Sequence, residues 1–223
     1  MKALDLFCGA GGTTYGVMKC GFEVTGVDAK PQPRYCGDHF IRANALGLDP
    51  KYIRQNFDFV IAGPPCQAYV TMSRRDEHHN LIPPTRELLK QTGLPWVIEN
   101  VPTAPLKRYI MLCGTQFLTL RVVRHRRFEY SDDLILNAPL HEPHPELKVY
   151  SFDRRPNRPN HKKELNEWDN YITVAGNNAS LAAMSDAMNI WWMNRKEIAQ
   201  AIPWKYSHYI TKQVVPQLET LAA

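Results

Sequence analysis

One cysteine in this chain stands where a nucleophile would be expected. Cys66 closes the run Gly63-Pro64-Pro65-Cys66-Gln67, directly after the apolar stretch Phe57-Asp58-Phe59-Val60-Ile61-Ala62. Such a stretch reads as a buried parallel strand ending at its carboxyl edge. Two prolines fix φ and forbid helix, so the chain must leave that strand in a rigid extended loop that holds out one thiol. Ligands of open α/β sheets bind outside the carboxyl ends of the strands, which favours a nucleophile over a buried structural thiol. A carboxyl group is expected at the same edge. Leu94-Pro95-Trp96-Val97-Ile98 reads as another buried strand and runs into Glu99-Asn100-Val101, with a helix over about residues 85–91 between the two strands.

The elements that position a cofactor precede these. Lys2-Ala3-Leu4-Asp5-Leu6-Phe7 predicts a first strand, Cys8-Gly9-Ala10-Gly11-Gly12 a turn, and the residues to about Cys20 a helix. Glycines between a first strand and a first helix let a ligand approach the backbone closely. A second strand, Phe22 to Val27, ends in Asp28, the usual position of an acid that bonds ribose hydroxyls. Turn and acid together point to an adenosine-type cofactor.

Asp5-Leu6-Phe7-Cys8-Gly9-Ala10-Gly11-Gly12, Gly63-Pro64-Pro65-Cys66-Gln67, Glu99-Asn100-Val101 and Arg124-His125-Arg126-Arg127-Phe128 follow one another in the order found in cytosine-5 DNA methyltransferases. The chain resembles a compact, phage-type member of that family. The resemblance implies that Cys66 adds to carbon 6 of cytosine in double-stranded DNA, making carbon 5 nucleophilic. It implies that Glu99, its pKa raised by burial, bonds ring nitrogen 3 and the exocyclic amine. Arg124 and Arg126 match the family's two arginines and would hold the base oxygen and favour the thiolate. The resemblance assigns Phe7, Gly9, Gly11 and Pro64 to S-adenosylmethionine and Asp28 to its ribose. Three positions depart from the family pattern. Val122 replaces a glutamine before the arginines, Val70 replaces a serine after the catalytic loop, and Asn44 stands where an aspartate meets the adenine. In the looser C-terminal match, Tyr209 to Pro216, one register puts Lys212 where an asparagine packs beside the cofactor; a shift of one puts Gln213 there. In the first register the ammonium would suit an anionic donor, carboxy-S-adenosylmethionine, and a carboxymethyl product.

Composition fits this frame. The 223 residues are 44% hydrophobic, enough for one main domain with a small insertion, and no apolar run is long enough to span a membrane. The first strand begins at once after Met1, which leaves no room for a signal peptide and predicts a cytoplasmic protein. Five cysteines show neither Cys-x-x-Cys pairs nor zinc-type histidine spacing, so a reduced, metal-free monomer is expected. The eight histidines, His78, His79, His141 and His144 among them, read as surface residues.

The net charge of +5 is modest, but its placement is uneven. Lys148, Arg154, Arg155, Arg158, Lys162 and Lys163 stand against Asp153 alone, among prolines and asparagines that predict a loop. It reads either as solvated surface or, within such a family, as the target-recognition region contacting DNA phosphates. Its brevity suggests a short or degenerate recognition sequence. Ser73, Arg74 and Arg75, after the catalytic loop, are further candidates for DNA contact where a flipped base must be covered. Trp191 and Trp192 read as core.

The predicted architecture is a doubly wound, Rossmann-like α/β sheet of the S-adenosylmethionine-dependent type. Residues 1–128 form the catalytic and cofactor domain and 129–171 a very small target-recognition insert. Residues 172–223 return to complete the sheet and close the cofactor pocket. Methylation of transfer RNA and a non-catalytic DNA-binding decoy remain as alternatives. No RNA-binding module is evident, and a decoy has no need of the four catalytic residues.

Overall fold

The computed structural model describes residues 1–69, 80–144, 149–150, 166–176 and 178–221. Its centre is a seven-stranded sheet of order β3-β2-β1-β4-β5-β7-β6. The strands are β1 (Lys2–Leu6), β2 (Glu23–Asp28), β3 (His39–Arg42), β4 (Phe59–Ala62), β5 (Trp96–Asn100), β6 (Tyr109–Leu112) and β7 (Arg126–Tyr130). β3, β2, β1, β4 and β5 run parallel, so their carboxyl ends share one edge. β7 runs antiparallel to β5, and β6 antiparallel to β7. This inversion brings the amino end of β7 and the carboxyl end of β6 to that same edge. The strand order reverses between β1 and β4, which opens a crevice there.

Helices cover both faces because alternate strand residues point to opposite sides. Ala3, Val24, Phe59, Ile61 and Val97 pack with Val17 of α1 (Gly12–Met18). Met184 of α4 (Leu181–Met188), Ile198 of α5 (Arg195–Gln200), and Tyr206, Ile210 and Val214 of α6 (Trp204–Leu221) join that layer. On the other face Leu4, Leu6, Val60 and Ile98 pack against Ile53 of α2 (Pro50–Asn56) and Leu89 of α3 (Ile82–Thr92). A bidentate ion pair crosses from helix to sheet. Arg86 of α3 donates through Nε to Glu129 Oε1 (2.5 Å) and through a terminal nitrogen to Oε2 (2.7 Å). Both residues are buried.

Two expectations change. Residues 172–221 contribute no strand to this sheet among the described residues; they return as α4, α5 and α6 against the α1 face. The boundary at 128/129 falls inside β7. The fold's body continues past it, since Ser131 Oγ accepts from Trp96 N–H (3.1 Å) and Gln217 Oε1 from Ile135 N–H (2.8 Å). Beyond that point β8 (Val149–Tyr150) and β9 (Tyr171–Ile172) pair in parallel. No helix among the described residues is long and apolar enough to cross a membrane.

Candidate active site

The turn after β1 is built on left-handed backbone. Phe7, Gly9 and Gly11 have φ of 61°, 52° and 90°, and Phe7 does so at the strain cost of a side chain. Gly11 has a steric reason besides: a Cβ there would stand 2.6 Å from Cys36 Sγ. Around a Cβ at Gly9 there is open space, room for a ligand against the backbone. Asp28 steadies the turn, its Oδ2 accepting from Gly9 N–H (3.1 Å) and its Oδ1 from Lys30 N–H (2.9 Å). Each oxygen keeps a lone pair for a diol. Trp192 Nε1 donates to Ala10 O (2.8 Å), and its ring lies 4.9 Å from that of Tyr15, while Trp191 is exposed rather than core. Asn44 is exposed beyond the end of β3, and its Oδ1 caps the following turn by accepting from Leu46 N–H (3.1 Å). Its amide nitrogen and one lone pair of Oδ1 are left free of that turn.

Below the turn lies a group the motif reading passed over. Asp5 is fully enclosed, accepts from the Thr14 hydroxyl (2.6 Å), and is pushed up to about 7 by burial, with Asp28 and Glu99 adding to it. The ordinary value is 3.8, so between about pH 4 and pH 7 the folded chain holds a proton that the unfolded chain releases. Stability therefore falls as pH rises through that window. Asp5→Asn keeps an acceptor for Thr14 and is expected to raise the melting temperature by a few degrees at about pH 8. Thermal melts of both proteins across the window check this; equal declines with pH would mean Asp5 is ionised in the fold.

The second cluster lies across the crevice. Cys66 is half-buried at the end of the loop leaving β4. Asn100, at the end of β5, fixes that loop by donating from Nδ2 to Pro64 O (2.8 Å). Glu99 approaches Arg126 Nε through Oε1 at 2.9 Å, close enough for an ion pair. The angle is not that of a hydrogen bond, so this buried oxygen has no hydrogen-bonding partner. Arg124 donates to Val174 O (2.7 Å) and Ala199 O (3.0 Å), while its buried Nε is unpartnered. Tyr206 of α6 donates its hydroxyl to Arg124 O (2.7 Å). Beside this cluster opens a cleft of about 340 Å³, lined by Pro102, Val122, Arg124, Arg126, Thr173 and Val174 among others. Val122, in the place of the family's glutamine, is buried and bridges to Ile172.

Charge in this cluster differs from expectation at one atom. Burial raises the Glu99 pKa, as expected. It also pushes the Cys66 thiol up, and Glu99 adds to that; Arg126 and Arg124 pull it down without reversing it. The arginines alone do not ionise the thiol, because burial opposes its charge and the Glu99 carboxylate beside it adds to that opposition. Protonating Glu99 removes its share of that opposition.

Other candidates are not brought together. Lys212 is exposed on α6, one turn beyond His208, whose Nδ1 meets Cys20 Sγ (3.3 Å) just past the carboxyl end of α1. The glycine turn lies at the amino end of that helix. Gln213, the other register, is bonded to the backbone of Asn137 (2.9 and 3.1 Å). The segment is helical here, with Lys212 on its exposed side. Lys212 thus lies toward the end of α1 opposite the glycine turn, and the placement offers no support for carboxy-S-adenosylmethionine. Ser73, Arg74, Arg75, Arg154, Arg155, Arg158, Lys162 and Lys163 lie outside the described residues. His125, His141 and His144 are half-buried rather than on the surface, their rings 5.1–5.2 Å apart.

The family model for C-5 cytosine-specific DNA methylases matches residues 1–104. The chain is 33% identical over 124 residues to Type II methyltransferase M.HgiGI of Herpetosiphon aurantiacus, a match covering 48% of this chain and 96% of that one. It is 28% identical over 153 residues to M.AgeI of Thalassovita gelatinovora, covering 60% of this chain and 34% of that one. The chain thus spans about a third of the length of M.AgeI. Among solved structures, a protein encoded within an E. coli prophage superposes with a TM-score of 0.64 at 14% identity, over 98% of this chain and 99% of that one. S. pombe Dnmt2 methyltransferase gives 0.58 at 12%, over 100% and 99%; at such identities the likeness is one of fold. Sheet order and glycine turn are those of the S-adenosylmethionine-dependent methyltransferase fold, with S-adenosylmethionine as its cofactor. More narrowly, the chain belongs to the C-5 cytosine-specific DNA methylases.

Proposed function

We propose that this protein methylates carbon 5 of cytosine in double-stranded DNA through a covalent adduct on Cys66. The observation that carries the reading is Glu99 Oε1, buried, paired in charge with Arg126 but without a hydrogen bond, and electrostatically coupled to Cys66 at one sheet edge. A buried carboxyl without a hydrogen-bond partner is costly unless an incoming group satisfies it. A flipped cytosine offers a ring nitrogen and an exocyclic amine at once.

S-adenosylmethionine supplies an electrophilic methyl group on a sulfonium sulfur. Phe7, Gly9, Gly11 and Pro64 would hold it, with Asp28 accepting from the ribose hydroxyls and the Asn44 amide at the adenine. Glu99, protonated as its burial favours, donates to ring nitrogen 3. With that carboxyl neutral, Arg126 and Arg124 bring the Cys66 thiol down, and its thiolate adds to carbon 6. The resulting enamine makes carbon 5 nucleophilic. Once carbon 5 carries the methyl group, loss of its proton to water expels the Cys66 thiolate from carbon 6, and Glu99 recovers the proton from ring nitrogen 3. Arg124, tied to two carbonyls, acts through its charge and its free Nε. Residues following His144 and preceding Tyr171 would form the recognition insert, with the basic segment on DNA phosphates.

Nucleoside mass spectrometry after incubation with S-adenosylmethionine and either duplex DNA or transfer RNA tests the reading. We expect 5-methylcytosine in DNA alone. Product only in transfer RNA would transfer the same chemistry to the other substrate. No product with either, alongside retained DNA binding, would identify a decoy.

A further inference from the structure

Four potential ligands that lie far apart in the sequence meet beside the arginines. Cys113 follows β6 and His125 precedes β7. The register Leu112↔Arg126 makes these two residues the next opposed pair of the hairpin. His141 and His144 come from the segment His141-Glu142-Pro143-His144 that leads toward the insert. One donor atom from each of the four lies within 4.8 Å of every other. Cys113 Sγ and His144 Nε2 are 3.5 Å apart. Zinc bonds of about 2.0–2.3 Å place tetrahedral donors roughly 3.3–3.8 Å apart, so closure on a metal needs movements of only about an ångström.

Three features mark the cluster as built. His141 Nε2 is buried with no hydrogen-bonding partner, although it faces three groups that are themselves metal donors. Gln116 holds the cysteine and the histidine segment in register. It accepts from Cys113 N–H through Oε1 (2.7 Å) and donates from Nε2 to Pro139 O (2.7 Å). At Gly114, next to Cys113, a Cβ would collide with Val122 O, so only glycine lets the chain turn there.

We propose that Cys113, His125, His141 and His144 bind one zinc ion as a closed structural site, fastening the arginine strand to the base of the insert. One sulfur and three imidazole nitrogens suit zinc, and oxygen-seeking magnesium or calcium would be rejected. Four protein ligands fill the tetrahedron and leave no open position for chemistry. Binding displaces the Cys113 thiol proton to solvent and forms a zinc–sulfur bond, with no change in oxidation state. His125 lies between Arg124 and Arg126, so a metal on its ring would fix the backbone from which both guanidinium groups project.

The full chain, purified without chelator, is expected to contain about one zinc per molecule by elemental analysis, independent of any substrate. Cys113→Ser and His144→Ala should each lower this to a small fraction. Stripping the parent protein with a chelator should lower its melting temperature, and zinc sulfate alone should restore it. Cobalt(II) added to stripped protein should show the visible bands and sulfur charge transfer of a tetrahedral thiolate site. Gln116→Ala, which removes no ligand, should weaken zinc about 10–100-fold. Should a variant fail to fold, zinc content and cobalt spectrum of the parent chain still decide. No zinc and no tetrahedral cobalt spectrum would overturn the proposal, as would zinc content unchanged in both ligand variants.

Discussion

Cys66→Ala is expected to lower methyl transfer to cytosine on the order of 10⁴-fold or more, the scale seen when a covalent nucleophile is deleted. Binding of S-adenosylmethionine should stay within about twofold, because the residues assigned to the cofactor (Phe7, Gly9, Gly11, Asp28 and Pro64) do not include the Cys66 side chain, and Asn100 holds the loop at Pro64 O independently of it. DNA carrying 5-fluorocytosine distinguishes this from a general loss of structure. Fluorine at carbon 5 blocks the final proton removal, so the parent protein should remain attached to the DNA and migrate as a larger species under denaturing conditions. Cys66→Ala should not. An adduct that persists in the variant would place the nucleophile on another thiol; Cys8 and Cys113 are both buried, and neither sits in the loop after β4.

The largest expected effect on stability concerns Arg86 and Glu129. Two charged groups share two hydrogen bonds out of contact with water, and Glu129 Oε2 also accepts from Lys107 N–H (2.8 Å). Arg86 donates further to Pro105 O (3.1 Å). Removing one partner strands the other charge, at a typical cost of about 3–5 kcal/mol. Against a total stability of about 5–15 kcal/mol, Arg86→Ala should lower the melting temperature by about 10 °C or more. The double change Arg86→Met with Glu129→Met should cost much less than the two single changes together, since no buried charge is left alone. Strict additivity in thermal melts would show that the two side chains are not coupled.

Much of the sheet was legible because four of its parallel strands are buried on both faces and read as apolar runs. β1, β2, β4 and β5 are of this kind, and their ends carry the glycine turn, Asp28, Cys66 and Glu99. β3 escaped notice because it is an edge strand, His39-Phe40-Ile41-Arg42, with little apolar signal. β7 begins Arg126-Arg127 and contains Glu129, a pattern that suggests surface until the partners are known. Arg126 faces Glu99, Arg127 lies over the Tyr109 ring at 4.3 Å, and Glu129 holds Arg86. Charges become interior when their partners arrive from other strands, and local sequence does not carry that information. The grouping of Cys113 with three histidines escaped for the same reason, since an antiparallel hairpin and a returning loop are needed to assemble it. Lys212 failed differently. Matching a loose motif by register ignored that Trp204 to Leu221 can be one helix, on which neighbouring residues face 100° apart.

Arg124 is held by Val174 O, Ala199 O and the Tyr206 hydroxyl, all supplied by residues well downstream of the sheet. During translation, all seven strands leave the ribosome before any of these three anchors has been made. A nascent chain can therefore lay down its sheet and its cofactor turn while one member of its catalytic cluster still lacks its supports. The order of synthesis thus acts as a delay. Arg124 gains its Ala199 and Tyr206 supports only with the docking of α5 and α6, not gradually as the sheet grows.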